Sequence, residues 1–205
     1  VWRRFTFYHE LMHHWIEHDD EMLSLFADAP PTADEALMER LCDVGTAELL
    51  LPEEDVQRLV QQHGLSPATI PRLCEHYQAS SIAAALQMVQ TATTPCYLVI
   101  AGPSGAAYVG RRPRWVGLSK ADARPRLVMQ YTAASPTAKY TIQRGQPVPV
   151  DHPITEAWAH AGTVVRGAVP LPFARGTGWA VPCEALAFRR RVFAVFHVGH
   201  GERSA

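Results

Sequence analysis

Two of the ten histidines in this 205-residue chain bracket the pattern His9-Glu10-Leu11-Met12-His13. On a helix, that spacing puts both imidazoles one turn apart on a single face, close enough to share a cation. Glu10 then stands about 100° around the helix from His9, off the ligand face and free to act as a general base. A hydrolytic centre needs a third protein ligand, with the fourth position left to water. Glu39 and Asp43 supply two carboxylates four residues apart, the first of them 26 residues after His13. Glu39 suits the third ligand, and Asp43 suits an acceptor for the other ring nitrogen of a ligating histidine. The chemistry implied is metal-assisted hydrolysis of a peptide: a divalent cation acidifies water while Glu10 takes its proton. Two imidazoles and a carboxylate suit Zn²⁺ and admit Mn²⁺. His63, His76 and Tyr77 are candidate donors to the oxyanion. A rival pattern overlaps: His14-Trp15-Ile16-Glu17-His18 is H-x-x-E-H, with histidines again four apart. Helical angles do not separate the two pairs. Context favours His9 and His13, because His14 and His18 lie nearer the exposed acidic end and read as surface residues or as residues that support the ligands from behind.

These groups need elements to hold them. The aromatic run Phe5-Thr6-Phe7-Tyr8 predicts a short strand feeding a helix that begins near His9, with Leu11, Met12, Trp15 and Ile16 as its apolar stripe. A loop containing Pro30-Pro31 leads to Thr32-Ala33-Asp34-Glu35, a capping box that opens a second helix running to about Leu50. Pro52 with Glu53, Glu54 and Asp55 opens a third, and Gly64 stops it. Residues 70–90 predict two short helices, one opened by Pro71 and one capped by Ser80 or Ser81. The outline is helix-turn-helix, yet residues 82–89 offer almost no basic or amide side chains to a groove, so the pair reads as packed support. Beyond Cys96, β-prone runs at 96–100, 126–131, 139–143, 163–165 and 191–198 surround one helix at 152–160. This predicts an antiparallel sheet with a helix on one face, in an α+β protein.

With 47% hydrophobic and 19% charged residues, the chain is neither disordered nor collagen-like. No apolar run approaches the ~18 residues of a membrane span, and no leader pattern opens the sequence, so a cytoplasmic protein without a membrane partner is expected. Cys42, Cys74, Cys96 and Cys183 lack C-x-x-C spacing and read as small buried thiols. The net charge of −1 hides a division at residue 92: −10 before it and +9 after it. Opposite fields suggest two modules. The positive half carries Arg111, Arg112, Arg114, Arg189, Arg190 and Arg191. These are either solubilising surface or, beside Trp115, Tyr131 and Trp179, a face for single-stranded DNA as an activating signal.

The stretches 5–13, Glu39-Arg40-Leu41-Cys42-Asp43, Ala47-Glu48-Leu49-Leu50-Leu51-Pro52, Lys139-Tyr140-Thr141 and 147–153 together resemble the ImmA/IrrE metallopeptidase family, in particular its radiation-response branch in Deinococcus. The resemblance implies a gluzincin-like peptidase domain over 1–64, a helix-turn-helix segment over 65–92 and a GAF-like domain over 93–205. It also implies metal ligands His9, His13 and Glu39, a catalytic Glu10, and cleavage of a transcriptional repressor of the DdrO type that releases DNA-damage-response genes. Further peptidase sequence is expected ahead of Val1. The alternative is a non-catalytic nucleic-acid-binding stress regulator, whose structural metal site would be closed by a fourth protein ligand.

Overall fold

The computed structural model describes residues 2–24, 31–104, 127–170 and 180–198. Helix α1 (Trp2–Glu17) begins well before His9, so the predicted strand over Phe5 to Tyr8 does not form. Phe5, Tyr8, Met12 and Ile16 explain why. They recur at helical spacing and turn inward, whereas a strand would have put Phe5 and Phe7 on one face, and Phe7 is 64% exposed. A short helix α2 (Asp20–Ser24) follows, unforeseen in its acidic stretch. Asp19 accepts a bond from the Met22 amide at its start, 3.0 Å away.

Helix α3 (Pro31–Leu50) packs on α1. Gly45 lets them approach, since a Cβ there would collide with the Met12 thioether. Next come α4 (Glu53–His63), α5 (Thr69–Tyr77) and α6 (Ser81–Gln90). Pro52 and the three acidic residues precede or open α4, and Gly64, at φ 88°, ends it. Helix α5 starts two residues before Pro71, and Ser80 caps α6 by accepting from the Ala83 amide at 3.0 Å. Ala84, Ala85, Met88 and Val89 of α6 are fully buried.

The chain then builds β1 (Cys96–Pro103), β2 (Leu127–Ala134), α7 (Pro153–Ala159), β3 (Val164–Pro170), β4 (Ala180–Phe188) and β5 (Arg191–His197). The strands form one antiparallel sheet in the order β2-β1-β5-β4-β3. Central β1 is buried from Cys96 to Gly102, which is why it reads as a continuous apolar run. Leu98, Ile100, Phe193 and Val195 face α4 to α6, while Tyr97, Val99, Ala194 and Phe196 face α7. Helices therefore cover both faces instead of the one expected, and the sheet shares a core with the acidic helices. Within the described residues this is an α+β fold of seven helices and five strands.

Two strand expectations change. Residues 139–143 do not form a strand, because side chains take the groups a ladder would use: Thr132 Oγ1 donates to the Ile142 carbonyl and the Tyr140 amide donates to Tyr97 Oη, each at 3.0 Å. Strand β4 was unforeseen because Pro182 argues against it. Pro182 pairs with Ala168 of edge strand β3 and lies outside the ladder to β5, which begins at Cys183, so the proline sits at the sheet's periphery. All four cysteines are buried and unpaired. Burial pushes the Cys96 thiol to about 11 and that of Cys183 to about 12. No described helix is long and apolar enough to cross a membrane.

Candidate metal centre

Helix α1 presents His9 and His13 one turn apart, with ring centroids 4.9 Å from each other and planes at 72°. Phe5, a turn earlier, stacks on His9 at 5.8 Å and 24°. The sequence reading missed this support by placing Phe5 in a strand; the signal was the i, i+4 repeat Phe5, His9, His13. Helix α3 brings its carboxylates across. Glu39 Oε2 lies 3.3 Å from His9 Nε2, and Glu39 Oε1 lies 3.3 Å from His13 Nε2. Asp43, one turn further along α3, places Oδ1 3.3 Å from His9 Nδ1. The histidines are 16% and 23% exposed and the two carboxylates 56% and 64%, so imidazoles form the floor and acids the rim.

The separations decide what this cluster suits. Charge-assisted hydrogen bonds run at ~2.7–2.9 Å, shorter than any of these contacts. Ligand atoms around a tetrahedral cation, with bonds of 2.0–2.1 Å, stand about 3.3 Å apart. The Glu39 oxygens keep that distance from both Nε2 atoms. One donor atom from each of His9, His13 and Glu39 lies within 4.8 Å of the others, and among the described residues this is the one group of three that could hold a metal ion. The buried Nδ1 of His9 makes no hydrogen bond despite its proximity to Asp43, because the carboxylate lies off the N–H direction. A neutral histidine that ligates through Nε2 carries its proton on Nδ1, and Asp43 is the acceptor beside it. The donor set therefore fits a divalent cation such as Zn²⁺ or Mn²⁺.

Glu10 is exposed on α1, next to His9 and outside the three-donor group. Burial, followed by the charges of Glu39, Asp43, Glu17 and Glu10, raises the Cys42 thiol, so it is a neutral floor element beneath the acidic rim. His14 and His18 sit together elsewhere on the helix surface, and no third donor joins them among the described residues. His76 and Tyr77 stack at 4.6 Å on α5, with Tyr77 beside Asp55 of α4, while His63 ends α4. None of these three lies in the His9, His13 and Glu39 group.

Arg189 and Arg190 form the two-residue turn between β4 and β5, at φ 48° and 64°. The Arg189 guanidinium lies 5.0 Å over the Phe188 ring, and that of Arg191 lies 5.5 Å over Tyr131 while donating to Gln130 Oε1 at 2.8 Å. Arg111, Arg112, Arg114, Trp115 and Trp179 lie outside the described residues.

Residues 2–88 match the family described as the IrrE N-terminal-like domain. Over 199 residues the chain is 30% identical to the radiation response metalloprotease IrrE of Deinococcus radiodurans, a match covering 95% of this chain and 58% of that protein. It is 26% identical over 200 residues to the radiation response metalloprotease IrrE of Deinococcus deserti, covering 97% of this chain and 68% of the relative. The chain thus spans less than two thirds of the length of the first relative. A Mycobacterium tuberculosis transcriptional regulator shares the fold at TM-score 0.51 and 12% identity, over 95% of this chain and 62% of that one. The two-histidine, one-glutamate cluster lies inside residues 2–88, the stretch that is similar to the IrrE N-terminal-like domain.

Proposed function

We propose that this chain is a metal-dependent, site-specific endopeptidase of the gluzincin type, and that its substrate is a transcriptional repressor of the DdrO type whose cleavage switches on a DNA-damage response in the cytoplasm. The observation that carries the reading is Glu39, which reaches from a second helix to 3.3 Å from both Nε2 atoms of the H-E-x-x-H motif. His9, His13 and Glu39 would hold the ion. When bound, a divalent cation supplies a Lewis acid that lowers the pKa of water towards ~7 and polarises a peptide carbonyl. Asp43 Oδ1, 3.3 Å from His9 Nδ1, would accept a hydrogen bond from that nitrogen once the ring turns to bind the ion, and so keep the Nε2 lone pair directed at the site. Glu10 accepts a proton from the attacking water and returns it to the departing amine. The exposed rim of Glu39 and Asp43 leaves the site open to an extended polypeptide.

In this reading residues 1–64 carry the chemistry, 65–92 form a helix-turn-helix segment and 93–205 a GAF-like module. The burial of α6 supports a packing role for the helix pair, since a recognition helix must expose its reading face. The non-catalytic regulator is disfavoured by the absence, among the described residues, of a fourth protein ligand in the group. One element of that alternative is kept: two consecutive arginines in left-handed backbone cost about 1–2 kcal/mol each, and strain of this kind collects at functional sites. We infer that Arg189, Arg190 and Arg191 contribute to a face for single-stranded DNA, and Arg111, Arg112 and Arg114 add positive charge to the same half of the sequence.

The test is to incubate the purified chain and the repressor with Zn²⁺, Mn²⁺ or a chelator and to weigh the products by mass spectrometry. A single metal-dependent cut supports the reading, and an uncut repressor with a loaded site refutes it.

A further inference from the structure

We propose that Phe5 is a positioning residue of the metal centre, whose ring fixes the His9 imidazole before an ion arrives. The inference deepens the reading of His9, His13 and Glu39 as the ligand set, and it rests on that reading.

Hydrogen bonds do not orient His9. Its Nδ1 is buried without a partner, and its contacts with Glu39 and Asp43, at 3.3 Å each, are longer than charge-assisted hydrogen bonds. What touches the imidazole is other rings. Phe5, one turn before it, lies 5.8 Å away between centroids and within 24° of parallel, while His13, one turn after it, lies 4.9 Å away at 72°. The three side chains follow one another at i, i+4 and i+8, so Phe5 is the end wall of a row of rings that contains both histidine ligands.

The wall is itself held. Phe5 is half-buried and packs against the apolar cluster shared by α4 to α6 and the sheet. Its neighbour Arg4 donates through Nη1 to the Tyr77 carbonyl at 3.1 Å, which ties the start of α1 to the end of α5. A contact thus runs from the core, through Phe5, to a ligand ring, which is how a site gains definition from residues that never meet the ion. Rotation about the Cβ–Cγ bond of His9 carries both ring nitrogens. A nearly parallel neighbour limits that rotation to small turns and opposes the swing that would take Nε2 away from Glu39. An imidazole already confined loses less freedom when it binds, and affinity rises accordingly.

The test compares Phe5→Leu with Phe7→Leu in the full chain. Both replace an aromatic ring on α1 by a better helix former. Phe7 is 64% exposed and stands about 160° around the helix from His9, so it is the matched control. Zn²⁺ affinity is read by competition with a chromogenic chelator, ligand geometry by the visible absorption of bound Co²⁺, and the integrity of α1 by circular dichroism. Phe5→Leu is expected to weaken Zn²⁺ binding about three- to ten-fold and to shift the Co²⁺ bands, at unchanged helicity. Phe5→Tyr, which keeps the ring, is expected to restore both, and Phe7→Leu to alter neither. Unchanged affinity and bands in Phe5→Leu, an equal effect of Phe7→Leu, or a weakening that comes with lost helicity overturns the positioning role and leaves the ligand set standing. Zn²⁺ bound as tightly after His13→Ala, or not bound at all, overturns the ligand set and this inference with it.

Discussion

Acid should unfold this protein partly through one histidine far from the metal centre. His152 caps α7: its Nδ1 accepts from the Ile154 amide at 3.1 Å, and its side chain is buried 6.1 Å from the Phe196 ring. Nε2 is buried with no hydrogen-bond partner, so protonation would remove the cap acceptor and put an unpaired charge in the core. Burial accordingly lowers its pKa from 6.5 to about 4. The unfolded chain binds a proton below 6.5 that the folded chain refuses until about 4, so stability falls as pH falls through that window. At 1.36 kcal/mol per pKa unit, the loss approaches about 3 kcal/mol, a large share of the ~5–15 kcal/mol that holds a domain together. His197, also lowered by burial despite the opposing charge of Glu184, adds in the same direction. His152→Asn is the discriminating variant, because asparagine keeps a cap acceptor and does not titrate. Urea unfolding at pH 7.5 and pH 4.5 should show His152→Asn less stable than the unmodified chain at the higher pH, through lost packing. Its loss on acidification should be smaller by about 2–3 kcal/mol. Equal losses in both proteins would refute the assignment of the acid sensitivity to His152.

The remaining predictions concern the two candidate surfaces. Glu10→Gln should retain one bound ion by elemental analysis while repressor cleavage falls by roughly 10²–10⁴-fold. Asp43→Ala should weaken metal affinity by roughly 10–100-fold without unfolding the chain, read by competition with a chromogenic chelator. Replacing Arg189-Arg190 with Asn-Gly should raise stability by about 1–2 kcal/mol, because those residues suit a turn with both φ values positive. The same change should weaken binding to a single-stranded oligonucleotide and flatten its salt dependence, measured by fluorescence anisotropy.

The candidate metal cluster was the most legible part of the sequence, because two histidines four apart on one helix are a matter of local spacing. His9 and His13 share a face wherever a helix forms, and Glu39 and Asp43 likewise. The helix ends at Gly64 and Ser80 were readable for the same reason, as local backbone requirements. The buried run of β1 also announced itself, since a strand covered on both faces has no polar side to show. What the spacing did not contain was the meeting of α1 with α3 to 3.3 Å, or the use of both Glu39 oxygens, because those depend on how two helices pack around Met12 and Gly45. Propensity misled at Phe5 to Tyr8, where the cost of aromatic residues in a helix, a few tenths of a kcal/mol each, is outweighed by about 1.5–3 kcal/mol for each large apolar side chain that buries. Pro182 in β4 and the helices on both faces of the sheet were decided by neighbours distant in sequence. Residue types and short-range periodicity set which atoms are able to hold an ion; only the packing of separate segments set whether those atoms face the same point in space.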